Sequence, residues 1–163
     1  MKRFNIRMKT SWALVLLALG SGCAPHFEVF TAKDFGVLPQ SYPYDYRATT
    51  PDGVVIAVRE LKYKNEQGDL EFWAKAVENQ LRLDSGYALL ETKDVSTKKG
   101  LRGRQLRFGI DREGIAHRYL VALFVVKKGK RQRVYVIEAG GREELVRAHQ
   151  TQIDWSISEF IAR

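Results

Sequence analysis

The spacing of apolar residues changes several times along this chain, and each change predicts a different element. In DLEFWAKAVENQLRLD, Leu70, Trp73, Ala74, Val77 and Leu81 recur at the spacing of one face of an amphipathic helix. Asp69 and Glu71 open that stretch, where carboxylates meet the positive end of the helix dipole, and Ser85-Gly86 closes it. Upstream, residues 42–50 and VVIAVREL (54–61) are extended runs on either side of Pro51-Asp52-Gly53. Proline presets φ and glycine accepts positive φ, so this pair predicts a hairpin. Downstream come four extended segments, at 87–95, 101–110, 117–128 and 131–140. Turns at Lys99-Gly100, Arg112-Glu113-Gly114 and Lys128-Gly129-Lys130 separate them, and connections this short join antiparallel neighbours. The third segment is almost wholly apolar from Tyr119 to Val126, which predicts a central strand covered on both faces. After Gly140-Gly141, a second helical stripe takes in Leu145, Ala148, His149, Gln152, Ile153, Ser156, Ile157, Phe160 and Ile161. It predicts one helix running to Arg163, with Glu143 and Glu144 at its start.

The order hairpin, helix, four-strand meander, helix predicts an α+β domain. The expected form is an antiparallel sheet of about six strands with helices on both faces, an α/β/α sandwich, over residues 42–163. Residues 24–41 are irregular, with Phe27, Val29, Phe30 and Phe35 as isolated apolar points. They are expected to be a tether whose far end docks as an edge strand.

The N-terminus has a different character. Lys2, Arg3, Arg7 and Lys9 precede the apolar run Trp12–Gly20, which is too short to span a bilayer, and the small residues Gly20-Ser21-Gly22 lead into Cys23. This is the pattern of an export signal. A cysteine directly after small residues resembles the lipobox of bacterial lipoproteins, although Gly20 stands where that motif carries Leu and Leu19 lies one position earlier. The resemblance implies removal of residues 1–22 and a mature chain beginning at Cys23. It also implies diacylglycerol and an N-acyl chain on that cysteine, with no other cofactor. Cys23 is the only cysteine, so the alternative, an exported protein cut nearby, leaves an unpaired thiol. Ala24 in the following position implies, within the same resemblance, the periplasmic face of the outer membrane.

Losing the signal changes the charge picture. The whole chain carries +8, but residues 1–22 hold four of the 27 basic residues and no acidic one, so the mature formal charge is +4. The pI near 9.7 therefore does not point to nucleic acid. The expected partners are a membrane, through the anchor, and an envelope protein.

The order of elements also resembles the PsbP-like α/β/α sandwich group, which includes DcrB-like and LpqN-like envelope proteins. The residues behind the resemblance are the hairpin around PDG, DLEFWAKAVENQL, the GY..LE…V and G..G..LRF segments, and YLVALFVVKKGKRQRVYVIEAGG before the last helix. It implies a non-enzymatic binding or assembly subunit.

Candidate chemistry is sparse. His26, His117 and His149 are far apart in sequence, and with one cysteine no spacing suits a four-ligand metal site. His149 is expected to pack half-buried on the last helix. Glu138 follows Ile137 at the end of an apolar strand and is expected to face water. Turned inward, it would need an arginine or tyrosine partner. There is no G-x-S-x-G elbow, and Gly100-Leu-Arg-Gly103 is too sparse for a phosphate loop, so no catalytic residue is assigned. Two basic clusters remain, Lys98, Lys99, Arg102, Arg104 and Arg107, and the hairpin set Lys127, Lys128, Lys130, Arg131 and Arg133. The hairpin set is the candidate binding surface. Two functions follow: an envelope lipoprotein that binds a protein partner, and a module that holds polyanions or anionic lipid on that hairpin.

Overall fold

A computed structural model describes residues 26–163. The expected signal segment and Cys23 lie outside the described residues. The described strands are β1 (Phe27–Glu28), β2 (Gly36–Val37), β3 (Tyr46–Thr49), β4 (Val55–Tyr63), β5 (Ala88–Ser96), β6 (Arg102–Arg112), β7 (Ile115–Lys128), β8 (Arg131–Arg142) and β9 (Ile161–Ala162). The helices are α1 (Leu70–Asn79), continued by a π-helical turn over Gln80–Asp84, then α2 (Glu143–Ala148) and α3 (Gln150–Glu159).

The main sheet has seven antiparallel strands in the order β2-β3-β4-β8-β7-β6-β5. One strand more than expected comes from Gly36–Val37, which pairs with Thr49 and Ala48 as an edge strand. The hairpin and the meander are both present. They are joined through α1, which carries the chain from β4 to the far edge strand β5. The meander then walks back until β8 closes on β4. At that far edge β5 carries Glu91, Lys93 and Asp94, charges that discourage pairing with another chain.

Successive side chains of a strand alternate between faces, and those of β7 enter two apolar clusters. Val121 and Leu123 join Ala74, Leu106, Phe108, Val134 and Val136, with Trp73 and Val77 of α1 packed alongside. Leu120, Ala122 and Phe124 join Tyr135, Ile137, Val146 of α2, and Ile153 and Ile157 of α3. α1 begins where its sequence indicates: Asp69 accepts a hydrogen bond from the Phe72 amide at 2.8 Å. Trp73 then stacks on Tyr63 with ring centroids 5.3 Å apart.

The last helix departs from expectation. β8 runs through Gly140-Gly141 to Arg142, the helical stretch breaks at His149, and α3 stops at Glu159. Phe160 is extended, and Ile161–Ala162 pairs with Phe27–Glu28. The cause is an aromatic cluster. Phe160 is fully buried, stacks on Phe124 at 5.7 Å and meets Tyr135 at 5.2 Å and Phe27 at 5.8 Å. A continuing helix would carry that ring away from the sheet. Phe27 and Phe35, from the stretch expected to be a tether, are both core residues.

Candidate functional site

The largest difference from the sequence reading is Glu138. It is only 4% exposed on the middle strand of the sheet, not turned to water. Val134, Tyr135, Val136 and Ile137 are all buried, so β8 has no solvent face over this stretch and alternation does not turn Glu138 to water. Every polar demand of the carboxylate is met. Arg59 of β4 pairs with Oε1. Tyr44 donates its hydroxyl to Oε2 at 3.0 Å, and Tyr119 of β7 donates to the same oxygen at 2.6 Å. Burial, the adjacent charge of Glu138 and the hydrogen bond to it push both phenols above their ordinary range, Tyr119 furthest. Both tyrosines therefore remain donors at any physiological pH.

Cross-strand register places these groups together. Arg47, Ala57, Glu138 and Val121 form one row across β3, β4, β8 and β7. Tyr119 lies opposite Gly140, where a Cβ would sit 2.9 Å from the Tyr119 ring, so glycine lets the ring lie across the strand. A cleft of about 260 Å³ opens over this row. Val55, Ala57 and Ala139 are apolar parts of its lining, and Tyr44 and Tyr87 are aromatic parts. Arg47 sits over the Tyr44 ring at 5.8 Å, and Arg112 over Tyr87 at 5.9 Å. Arg112 also donates to the Tyr87 hydroxyl at 3.1 Å. His117 lines the cleft and faces the Ile115 carbonyl through Nδ1 at 2.9 Å, so Nδ1 is the donor and Nε2 the acceptor in the neutral ring.

The cleft was not legible as a motif. Its members come from β3, β4, β6, β7 and β8, from Tyr44 ahead of β3, and from Tyr87 after the π-helical turn. The one local signal was an apolar run on both parities of β8, which marks a fully covered strand and hence a buried Glu138.

The basic hairpin lies at the other end of the same strands. Of its five cations, Lys127 pairs with Glu66, and Arg133 Nε lies 3.0 Å from Glu60 Oε1. Lys128, Lys130 and Arg131 are exposed and form no ion pair among the described residues. Of the first basic cluster, Arg104 reaches Glu71 and Asp94, and Arg107 reaches Glu91 and Asp154, so these cations fasten elements together. Glu60, with its side chain 1% exposed, is shared by Arg133, Lys62 and His26. The Tyr135 hydroxyl donates to the His26 carbonyl at 3.0 Å. Burial beside Glu60 raises that phenol to about 12. The chain therefore enters the fold at the hairpin end of the sheet, three residues after Cys23.

His149 is half-buried, edge-on to Phe35 at 5.9 Å, with Nε2 3.1 Å from Asp52. It holds the hairpin turn to the helix break. Among the described residues, no cluster of three metal-ligating side chains occurs and no helix is long and apolar enough to cross a membrane.

No family model matches the sequence, and no curated protein is significantly similar to it. Solved structures are similar in fold. LpqN of Mycobacterium tuberculosis, described as involved in cell envelope biogenesis, aligns with a TM-score of 0.71 at 13% identity, over 87% of this chain and 86% of LpqN. Cyanobacterial PsbP from Synechocystis aligns with a TM-score of 0.57 at 10% identity, over 85% of this chain and 87% of that one. The chain has the LpqN-like, PsbP-like fold.

Proposed function

We propose, with that fold as the premise, that the chain is an envelope lipoprotein anchored through Cys23, whose domain is a non-enzymatic binding or assembly module. The domain is read as a sheet covered by α1 on one face and by α2 and α3 on the other. The observation that carries the proposal is the likeness, over nearly the whole domain, to a protein of envelope biogenesis. The state of Glu138 agrees with binding: both its oxygens are engaged by Arg59, Tyr44 and Tyr119, which leaves no free carboxylate for proton transfer in the cleft.

Geometry adds an orientation. Three residues reach at most about 11 Å, so a lipid on Cys23 holds the His26 end of the sheet against the bilayer. Lys128, Lys130 and Arg131 then lie near the headgroups. Glu138, five residues along β8 from Arg133, sits about 17 Å further out, facing the periplasm.

In-cell crosslinking and membrane fractionation of the wild type beside Cys23→Ala test this reading. The expected result is wild type in the membrane fraction with a specific envelope protein captured, and the variant in the soluble fraction. Wild type found soluble, or equal fractionation of the two, overturns the anchor. A membrane-bound wild type that captures no protein overturns the assembly role.

A further inference from the structure

We infer that the cleft over Glu138 binds a ring-sized organic anion, a carboxylate or phosphate on an apolar body, held between Arg47 and Arg112. Glu138 is the one carboxylate that lines the cleft, and Arg59 neutralises it while two tyrosine hydroxyls complete its hydrogen bonding. Arg118 also lines the cleft, but Glu143 pairs with it at 2.7 Å. The remaining charge is that of Arg47 and Arg112, neither of which forms an ion pair among the described residues.

Each of these arginines is held rather than free. Contact with a tyrosine orients each guanidinium; Arg112 commits one nitrogen to the Tyr87 hydroxyl, and its other edge donors, like those of Arg47, face no acceptor among the described residues. A planar fork so presented matches carboxylate or phosphate oxygens in two parallel hydrogen bonds. Between the two arginines, the apolar side chains of Val55 and Ala57 offer nothing to a hydrated ion and favour an apolar ring. His117 adds one further polar side chain to the lining. At about 260 Å³ the space lies at the small end for ligand sites, which sets the size at one ring.

The basic hairpin is a different feature. Lys128, Lys130 and Arg131 are exposed at the opposite end of the strands, apart from the cleft residues. The cleft does not depend on lipidation, so its test is separate from that of the anchor.

The test is a titration of the purified full chain, followed by amide shifts in 1H–15N spectra, at about 50 mM salt, with phenyl phosphate, benzoate and the neutral benzyl alcohol. The expected result is saturable shifts at Gly140 and Gly141 for the anions, with Kd on the order of a millimolar. Binding should weaken as salt rises, and benzyl alcohol should bind at least tenfold more weakly. Tighter binding of phenyl phosphate assigns a phosphate ligand, and tighter binding of benzoate a carboxylate. The double variant Arg47→Gln/Arg112→Gln should lose at least tenfold in affinity with an unchanged melting temperature, whereas Lys130→Gln should bind as wild type does. Absence of shifts at Gly140 and Gly141, shifts confined to the hairpin amides, or equal binding by the double variant overturns the inference.

Discussion

Tyr119 and Glu138 stand on adjacent central strands, and the phenol donates to the carboxylate across 2.6 Å while its ring covers the bare backbone of Gly140. One side chain thus serves as packing, hydrogen-bond donor and cleft lining. The pair depends on Arg59 and Tyr44 to complete the satisfaction of Glu138.

Removing the charge of that carboxylate leaves Arg59 without its partner and one tyrosine hydroxyl poorly matched. Arg59 keeps partial solvent contact, which limits the penalty. Glu138→Gln should destabilise the fold by about 1–3 kcal/mol. In a double-mutant cycle by urea unfolding, Glu138→Gln with Arg59→Met should cost less than the two singles together. Strict additivity would show that the two do not interact.

The raised phenols predict a loss of stability in alkali. In the unfolded chain they ionise near pH 10. In the fold, burial beside Glu138 or Glu60 keeps Tyr119, Tyr44 and Tyr135 protonated to higher pH. Above about pH 10 the native state therefore holds more protons than the unfolded one, and stability falls as pH rises. Below that pH their contribution is constant. Urea midpoints should be level between pH 7.5 and about 9 and decline above about 10, and Tyr119→Phe should show a shallower decline. The same slope in both proteins would remove Tyr119 as a cause.

Phe160 holds the end of the chain to the sheet through Phe124, Tyr135 and Phe27. Phe160→Ala should cost about 3–5 kcal/mol, as for other fully buried aromatic rings. It should also raise amide exchange at Phe27 and Ile161, because the β1–β9 ribbon rests on that ring. Exchange left unchanged at those amides would place the ribbon's stability elsewhere.

Asp69 is exposed, and its role is the single cap it gives α1. Asp69→Ala should lower stability by about 1 kcal/mol, and Asp69→Asn by less, since the amide oxygen still accepts from Phe72. A calorimetric comparison of the three proteins checks the order.

Elements built from local contacts were legible in the chain itself. The α1 stripe and its Asp69 cap, the Pro51-Asp52-Gly53 hairpin and the four-strand meander each depend on residues within a few positions of one another. Periodicity and turn chemistry report such neighbours directly. The last helix shows the boundary: its apolar spacing continues through Phe160, and only competition from the Phe124–Tyr135 surface pulls that residue into extended backbone. Glu138 shows it more sharply. Whether a polar residue in a strand meets water depends on what covers the sheet, and Tyr44, Arg59 and Tyr119 reach Glu138 from positions up to 94 residues away. The sequence by itself determined α1, the hairpin, the meander and their order, and it pointed to Cys23 as the candidate anchor. Tertiary structure alone decided that Glu138 is buried, that Arg47 and Arg112 flank one cleft, and that the chain enters beside the basic hairpin. Pairing of distant strands brings those groups together, and no local period records it.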